Sequence, residues 1–155
     1  MKKIIALVLV SMFILSIVGC GNHTDSDEQT NDSMHNEWGI TLEVENVTPR
    51  GLSLVCHQSG GNSVSELKTG SFYVIQKLDE SGWVNVKYAP HKYDIVWTAE
   101  AWLIQKENTT TWDVNWEWLY GELPAGEYRI GKEFMNFRGT GDYDEEIIYA
   151  DFIIE

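Results

Sequence analysis

The sequence predicts an all-β domain folded as an antiparallel β-sandwich of about seven to nine strands. Short runs rich in Val, Ile, Thr and aromatic residues recur along the chain, and these residues favour strands. Turn-forming Gly, Pro, Asn and Asp residues separate the runs at spacings typical of sandwiches. No long segment has the 3.6-residue hydrophobic period of an amphipathic helix. These observations favour a sandwich over a helical or mixed fold.

The charge balance excludes one large class of partner. The 155 residues include 11 Lys and Arg against 24 Asp and Glu, which gives a formal net charge of −13. Nucleic acid is therefore not an expected partner, because binding it requires clustered cations.

The sequence contains no Gly-x-Ser-x-Gly, His-Glu-x-x-His or phosphate-binding Gly-Lys-Ser/Thr motif. We accordingly predict no enzyme activity, no catalytic residue, no metal and no cofactor.

Residues 1–19 have the pattern of an export signal. Lys2 and Lys3 form a basic start, and the apolar run that follows is too short for a membrane-spanning helix. The residues Ile17-Val18-Gly19-Cys20 resemble a bacterial lipobox, in which the Cys receives diacylglycerol and becomes the mature N-terminus. We expect removal of 1–19 and attachment of palmitate-type chains through Cys20. An uncleaved anchor and a plain signal peptide are the alternatives.

Residues 20–37 are predicted to form a disordered acidic tether that follows the lipidated Cys20. From Gly21 to Glu37 the chain is almost wholly polar, and it has no Lys or Arg. Such a segment cannot bury enough apolar surface to offset its ordering entropy. His23 and His35 lie within it without Cys or paired carboxylates, so we expect solvated side chains rather than metal ligands.

The folded domain is predicted to span 38–155, with alternating apolar and polar residues in most of its strands. The segment 58–70 is rich in Gly, Ser and Asn and reads as a loop with a short edge segment, while 138–146 reads as an acidic loop. The predicted strands are 40–45, 52–57, 72–78, 83–88, 110–116, 128–137 and 147–154, with one or two short ones within 95–104.

The stretch Trp112–Ile130 is predicted to form a strand, a corner and a second strand. Leu123, Pro124, Ala125 and Gly126 interrupt the alternation, and Tyr128 opens the next run. In a sandwich, a Tyr at such a corner turns its hydroxyl back onto the preceding backbone. We expect Tyr128 to be buried and bonded within 118–123, with Tyr120 and Tyr143 on turns.

Three segments resemble a bacterial Ig-like domain family whose members are common in Gram-positive lipoproteins. They are Asn46–Leu54, Trp116–Ile130 and the acidic Gly141–Glu145 before the last strand. The resemblance covers about residues 38–155 and implies an immunoglobulin-like sandwich at the cell surface. It implies no catalytic residues and leaves the ligand open.

Cys56 is predicted to be a small buried hydrophobe. It is the one cysteine left if Cys20 is acylated, so a disulfide within the chain is not expected. A redox or nucleophilic thiol is the alternative, but His57 would point to the opposite face of the strand and could not assist it.

The tryptophans supply the candidate ligand contacts. Trp112 and Trp116 share a strand face with Val114 and are predicted to be core, whereas Trp102 and Trp118 follow no such pattern and are the expected exposed pair. Exposed indoles could stack on sugar rings.

The acidic residues 142–146 are a weak candidate for a cation site. A Ca²⁺ site needs about six to eight oxygen ligands, and the spacing here fits no Ca²⁺ motif, so a solvated loop is favoured.

We therefore predict a lipoprotein attached to the outer, extracytoplasmic face of the cell membrane through its lipid anchor. Its domain is expected to be a non-enzymatic interaction or structural module, with an unknown protein or an envelope polysaccharide as partner. The alternative is a carbohydrate-binding module that uses its exposed tryptophans.

Overall fold

A computed structural model of the protein describes residues 36–62 and 65–155. The predicted signal peptide, Cys20 and the tether up to residue 35 lie outside the described residues. Within those residues, no helix has the length and apolar character needed to cross a membrane.

The described residues form two antiparallel β-sheets, which confirms the predicted sandwich. The first sheet has the strand order β1-β2-β6, and the second has the order β4-β3-β7-β8, with β5 also paired to β3. The elements are β1 (Ile40–Thr48), β2 (Gly51–Gln58), β3 (Glu66–Asp79), β4 (Gly82–Asn85), β5 (Trp102–Ile104), β6 (Asn108–Asn115), α1 (Glu117–Tyr120), β7 (Gly126–Gly139) and β8 (Asp142–Ile154).

The turn between β1 and β2 fixes the register of the first sheet. The Thr48 hydroxyl donates to the Gly51 carbonyl oxygen at 2.9 Å and closes the turn. A side chain at Gly51 would collide with the neighbouring strand, since a Cβ there would lie 2.3 Å from the Val114 carbonyl oxygen. The glycine therefore allows β2 and β6 to approach closely at this end of the sheet.

The core lies between the two sheets and follows the alternation in the strands. Its fully buried aliphatic side chains include Ile40 and Leu54 from one sheet and Ile75 and Ile130 from the other. Cys56 is 1% exposed and belongs to this core, as predicted. Burial raises the pKa of the Cys56 thiol to about 12.

The corner around Tyr128 is built from aromatic side chains. Tyr128 is buried, and its hydroxyl donates to the Pro124 carbonyl oxygen at 2.8 Å, just outside the predicted segment 118–123. The segment before the corner contains the single-turn helix α1, which the sequence prediction of a simple strand and corner missed.

Two tyrosines lie elsewhere than predicted. Tyr120 is not on an exposed turn, because it is buried in α1 and its hydroxyl oxygen accepts a hydrogen bond from the Ile75 N–H at 3.3 Å. Tyr143 is exposed but belongs to β8 rather than to a turn.

Several predicted loops are strands. β3 begins at Glu66, inside the segment predicted as a loop, because it pairs with both β5 and β7. The acidic stretch 142–146 belongs to β8, and its ladder with β7 leaves a tight turn before Asp142. Arg138 donates to the carboxylates of Asp142 at 2.7 Å and Asp144 at 2.5 Å, so the acidic residues there are partly neutralised.

One other strand prediction was too long, and another is confirmed. The strand after the β3 turn ends at Asn85 rather than at residue 88, and the segment 95–104 forms one strand, β5, at its end. The intervening residues 86–101 have no strand or helix but cover one side of the domain, where Ile95 and Trp97 pack against the core.

Candidate functional site

The most distinctive surface feature is a groove of about 220 Å³ whose walls are largely aromatic. We call it the tryptophan groove, because four of the seven tryptophans of the chain line it. Its lining residues come from five strands, α1 and the covering segment 86–101, and they are Leu54, Ser71, Tyr73, Trp97, Trp102, Trp112, Asp113, Val114, Asn115, Trp118 and Lys132.

Different elements bring the four indoles together. Trp112 points inward from β6, which is an edge strand of the first sheet, so part of its ring is left uncovered. Trp97 is held by edge-on contacts with Phe72 and Tyr73, at ring-centre distances of 5.4 and 5.1 Å. Trp102 begins β5, and Trp118 lies in α1. The groove therefore exists only in the folded domain.

A buried lysine contributes the one cation of the groove lining. Lys132 is 5% exposed and occupies an inward position of β7, between the buried Ile130 and Phe134. Its Nζ donates to the Gly70 carbonyl oxygen at 2.6 Å. The same nitrogen lies 5.2 Å from the ring centre of Trp112 and 5.6 Å from that of Trp102. These distances are within the range of cation–π attraction.

A bulge in β3 supplies the acceptor for Lys132. Tyr73 pairs with Lys132 and Thr69 with Phe134, so the three residues between Thr69 and Tyr73 oppose Glu133 alone. Such extra residues bend a strand and redirect its carbonyl groups. Here the bulge includes Gly70, whose carbonyl oxygen reaches the lysine.

Burial controls the electrostatics of the groove. It lowers the pKa of Lys132 to about 8, against a smaller opposing effect of Cys56 and Glu133. The amine therefore remains mostly protonated at pH 7. No ion pair joins Lys132 to a carboxylate within residues 36–62 and 65–155. A buried cation thus lies within a protein of strongly negative net charge.

The polar groups at the rim of the groove are held in place by the domain. Asp113 borders the groove, but its carboxylate points to the outer face of the first sheet, where it accepts a hydrogen bond from the Ser53 hydroxyl at 3.0 Å. The Ser71 hydroxyl donates to the Thr98 carbonyl oxygen at 3.0 Å, which ties β3 to the covering segment. The groove therefore combines flat apolar walls, fixed polar groups and one cation, an arrangement suited to binding a ligand with apolar and charged parts.

The predicted site residues fall into two groups. Trp102 is 39% exposed and Trp118 is 60% exposed, and both line the tryptophan groove. Tyr128 lies at the corner, away from the groove, and Cys20 lies outside the described residues. Trp116 is fully buried, as predicted, whereas Trp112 packs against the core while also lining the groove.

Sequence reasoning missed three contributors to the groove, namely Tyr73, Trp97 and Lys132. Lys132 carried a readable signal, because it occupies an inward position in the alternation of β7, where an apolar residue is expected. Trp97 carried none, because the segment around it has no regular period. The described residues hold no group of three or more His, Cys, Asp or Glu side chains placed to bind a metal ion.

Comparisons with known proteins give one family. A family model described as "Bacterial Ig-like domain" matches residues 36–152, which include every strand of the sandwich except the end of β8. Neither the curated proteins nor the solved structures contain a match to this chain.

Proposed function

This chain belongs to the bacterial Ig-like domain family, and from that premise we propose that it is a lipoprotein on the outer face of the cell membrane. Its sandwich acts there as a non-enzymatic interaction module. The observation that carries this proposal is the family match over the sandwich, joined to the export and acylation pattern that ends at Cys20. The tryptophan groove is the surface that we assign to the ligand.

The lipid anchor follows from the N-terminal sequence. The basic start, the apolar run and Gly19-Cys20 stand directly before a polar segment. Each buried CH₂ contributes about 0.8 kcal/mol to membrane attachment, so two or more acyl chains hold a protein far more firmly than one. Attachment of this kind keeps the domain at the cell surface without a spanning helix.

The anchor is tested by replacing Cys20. In the wild-type protein extracted from cells, mass spectrometry should find a lipid-modified Cys20 as the first residue. Cys20→Ala should lack the lipid, retain its signal segment and be poorly processed. Cys56→Ala is the matched control, because it removes the other cysteine and should leave the lipid in place. An unmodified Cys20, or a mature chain that begins elsewhere, would show that the protein is not a lipoprotein.

The tryptophan groove favours a second candidate function, that of a carbohydrate-binding module in the cell envelope. A sugar ring has apolar C–H faces and polar edges, and an indole offers a large flat face for the first of these. Trp102 and Trp118 present such faces at the groove, beside the polar group of Ser71. This geometry supports carbohydrate binding over a purely structural role for the domain.

Fluorescence titration with cell-wall glycans tests this candidate. Saturable quenching in the wild type should weaken strongly in Trp118→Ala, because its ring is a large exposed part of the groove wall. Trp83→Ala is the control, since Trp83 lies in β4, outside the groove lining, and stacks against Arg129 with 4.7 Å between the guanidinium carbon and the ring centre. Equal quenching in both variants would assign the signal to another surface.

A further inference from the structure

We propose that the tryptophan groove recognises an acidic saccharide whose carboxylate pairs with the Lys132 ammonium while its ring stacks on the surrounding indoles. This inference rests on the carbohydrate-binding candidate and names the class of sugar. It is carried by the position of Lys132 in the groove lining.

The Lys132 ammonium has binding capacity that the protein does not use. An ammonium group has three N–H donors, and within the described residues one hydrogen bond is formed, to the Gly70 carbonyl oxygen. Buried charges in proteins are normally paired with an opposite charge, because the loss of hydration is costly. The rings of Trp102 and Trp112 offset part of this cost through cation–π attraction. A carboxylate from a ligand would complete the pairing.

The rest of the groove fits a sugar as the carrier of that carboxylate. Its volume of about 220 Å³ is below the roughly 300–1,000 Å³ of pockets that hold drug-sized ligands, so it suits one ring. The exposed faces of Trp102 and Trp118 can cover the apolar faces of a pyranose ring. The Ser71 hydroxyl oxygen can accept a hydrogen bond from a sugar hydroxyl, since its own hydrogen is donated to Thr98.

Lys132 also defines an orientation. It attracts the ligand carboxylate, so the acidic end of the sugar should point inward to Lys132. A neutral sugar would gain the stacking but not the charge pairing.

Two methyl glycosides that differ at one carbon test the proposal. Methyl glucuronide carries a carboxylate where methyl glucoside carries a hydroxymethyl group. We expect the glucuronide to bind the wild-type protein at least tenfold more tightly, as measured by tryptophan fluorescence and calorimetry. Lys132→Met, which replaces the ammonium with an unbranched apolar side chain one atom shorter, should abolish this preference.

The other outcomes separate this inference from the function on which it rests. Equal affinity for both glycosides would overturn the carboxylate pairing and leave carbohydrate binding intact. No binding of either glycoside, together with no quenching by wall glycans, would overturn both. Binding of a short peptide that ends in a Trp carboxylate, without binding of the glucuronide, would identify a peptide site instead. None of these outcomes affects the lipid anchor, which is tested through Cys20.

Discussion

Two aromatic clusters of this domain consist of the same residue types but differ in how their polar atoms are bonded. The corner cluster consists of Trp116, Tyr128 and Phe152, all buried, with ring centres 5.6 to 5.7 Å apart. Its polar atoms are satisfied by backbone, because the Trp116 Nε1–H donates to Pro49 at 2.9 Å and the Tyr128 hydroxyl donates to Pro124 at 2.8 Å. Buried and fully bonded, this cluster stabilises the fold.

The tryptophan groove has the reverse arrangement. Its indoles keep part of their surface in solvent, and its cation, Lys132, is buried without an ion pair in the described part of the chain. Groups left in such unfavourable surroundings are typical of sites that a ligand completes. The satisfaction of polar atoms, rather than aromatic content, therefore separates the corner cluster from the groove that we propose as a binding site.

The largest effect should come from a pair of tryptophans two positions apart. Trp116→Ala should lower the free energy of unfolding by about 3–5 kcal/mol, because it leaves a large cavity in the corner cluster. Trp118→Ala should cost less than about 0.5 kcal/mol, since its ring is mostly in solvent. Denaturant unfolding measures both, and similar losses would erase the distinction between the clusters.

The next prediction concerns the hydrogen bond at the Tyr128 corner. Tyr128→Phe should cost about 1–3 kcal/mol in unfolding free energy, because the Pro124 carbonyl oxygen loses its buried donor. The control is Tyr143→Phe, which removes a hydroxyl from an exposed ring and should cost under about 0.5 kcal/mol. Tyr120→Phe is no control, since the Tyr120 hydroxyl is bonded to the Ile75 N–H. A Tyr128→Phe protein as stable as Tyr143→Phe would remove the corner bond as a support of the fold.

In the tryptophan groove, we expect a substitution to stabilise the domain rather than to destabilise it. Lys132→Met should raise the free energy of unfolding by about 1–2 kcal/mol at pH 7, because it removes a buried ammonium that lacks a carboxylate partner. The lost hydrogen bond to Gly70 offsets part of this gain. Urea unfolding of the two proteins measures the difference, and a destabilised variant would mean that Lys132 is structural rather than reserved for a ligand.

The smallest expected effect is the pH dependence of the difference in unfolding free energy between the wild type and Lys132→Met. Burial lowers the pKa of folded Lys132 to about 8 from an ordinary 10.5, so above pH 8 the unfolded chain binds more protons at this residue. The penalty for burying the ammonium is therefore fully present below pH 8 and disappears as pH rises to 10.5. The advantage of Lys132→Met should shrink over this window. Cys56 and Glu133, which interact with Lys132, are retained in both proteins. A pH-independent difference would contradict the buried charge as its origin.

The strands with regular alternation could be predicted from sequence, and the others depended on their partners. β1 and the first part of β7 show their buried faces directly in the residue pattern. The start of β3 does not, because Gly70 and Ser71 are residue types that are common in loops. They belong to the strand because of a bulge there and because β3 pairs with two neighbouring strands. The acidic start of β8 likewise forms a strand because β7 pairs with it and Arg138 binds two of its carboxylates.

The groove could be predicted only in part for a similar reason. The exposure of Trp102 and Trp118 follows from their lack of periodic neighbours. Their proximity to Trp97 and Trp112 depends on how the segment 86–101 packs across the domain. No local sequence pattern predicts this packing. The helix α1 was missed because four residues are too few to show a helical period.

Cys56 makes the opening of this domain measurable in living cells. Its sulfur lies in the core, and burial holds the pKa of the thiol near 12, so alkylating reagents, which attack the thiolate, should scarcely react with the closed domain. If Cys20 is acylated as proposed, Cys56 carries the remaining thiol of the sequence. The rate at which a membrane-impermeant maleimide labels Cys56 on intact cells would then report how often the two sheets separate. A bound ligand should lower this labelling rate in proportion to its occupancy.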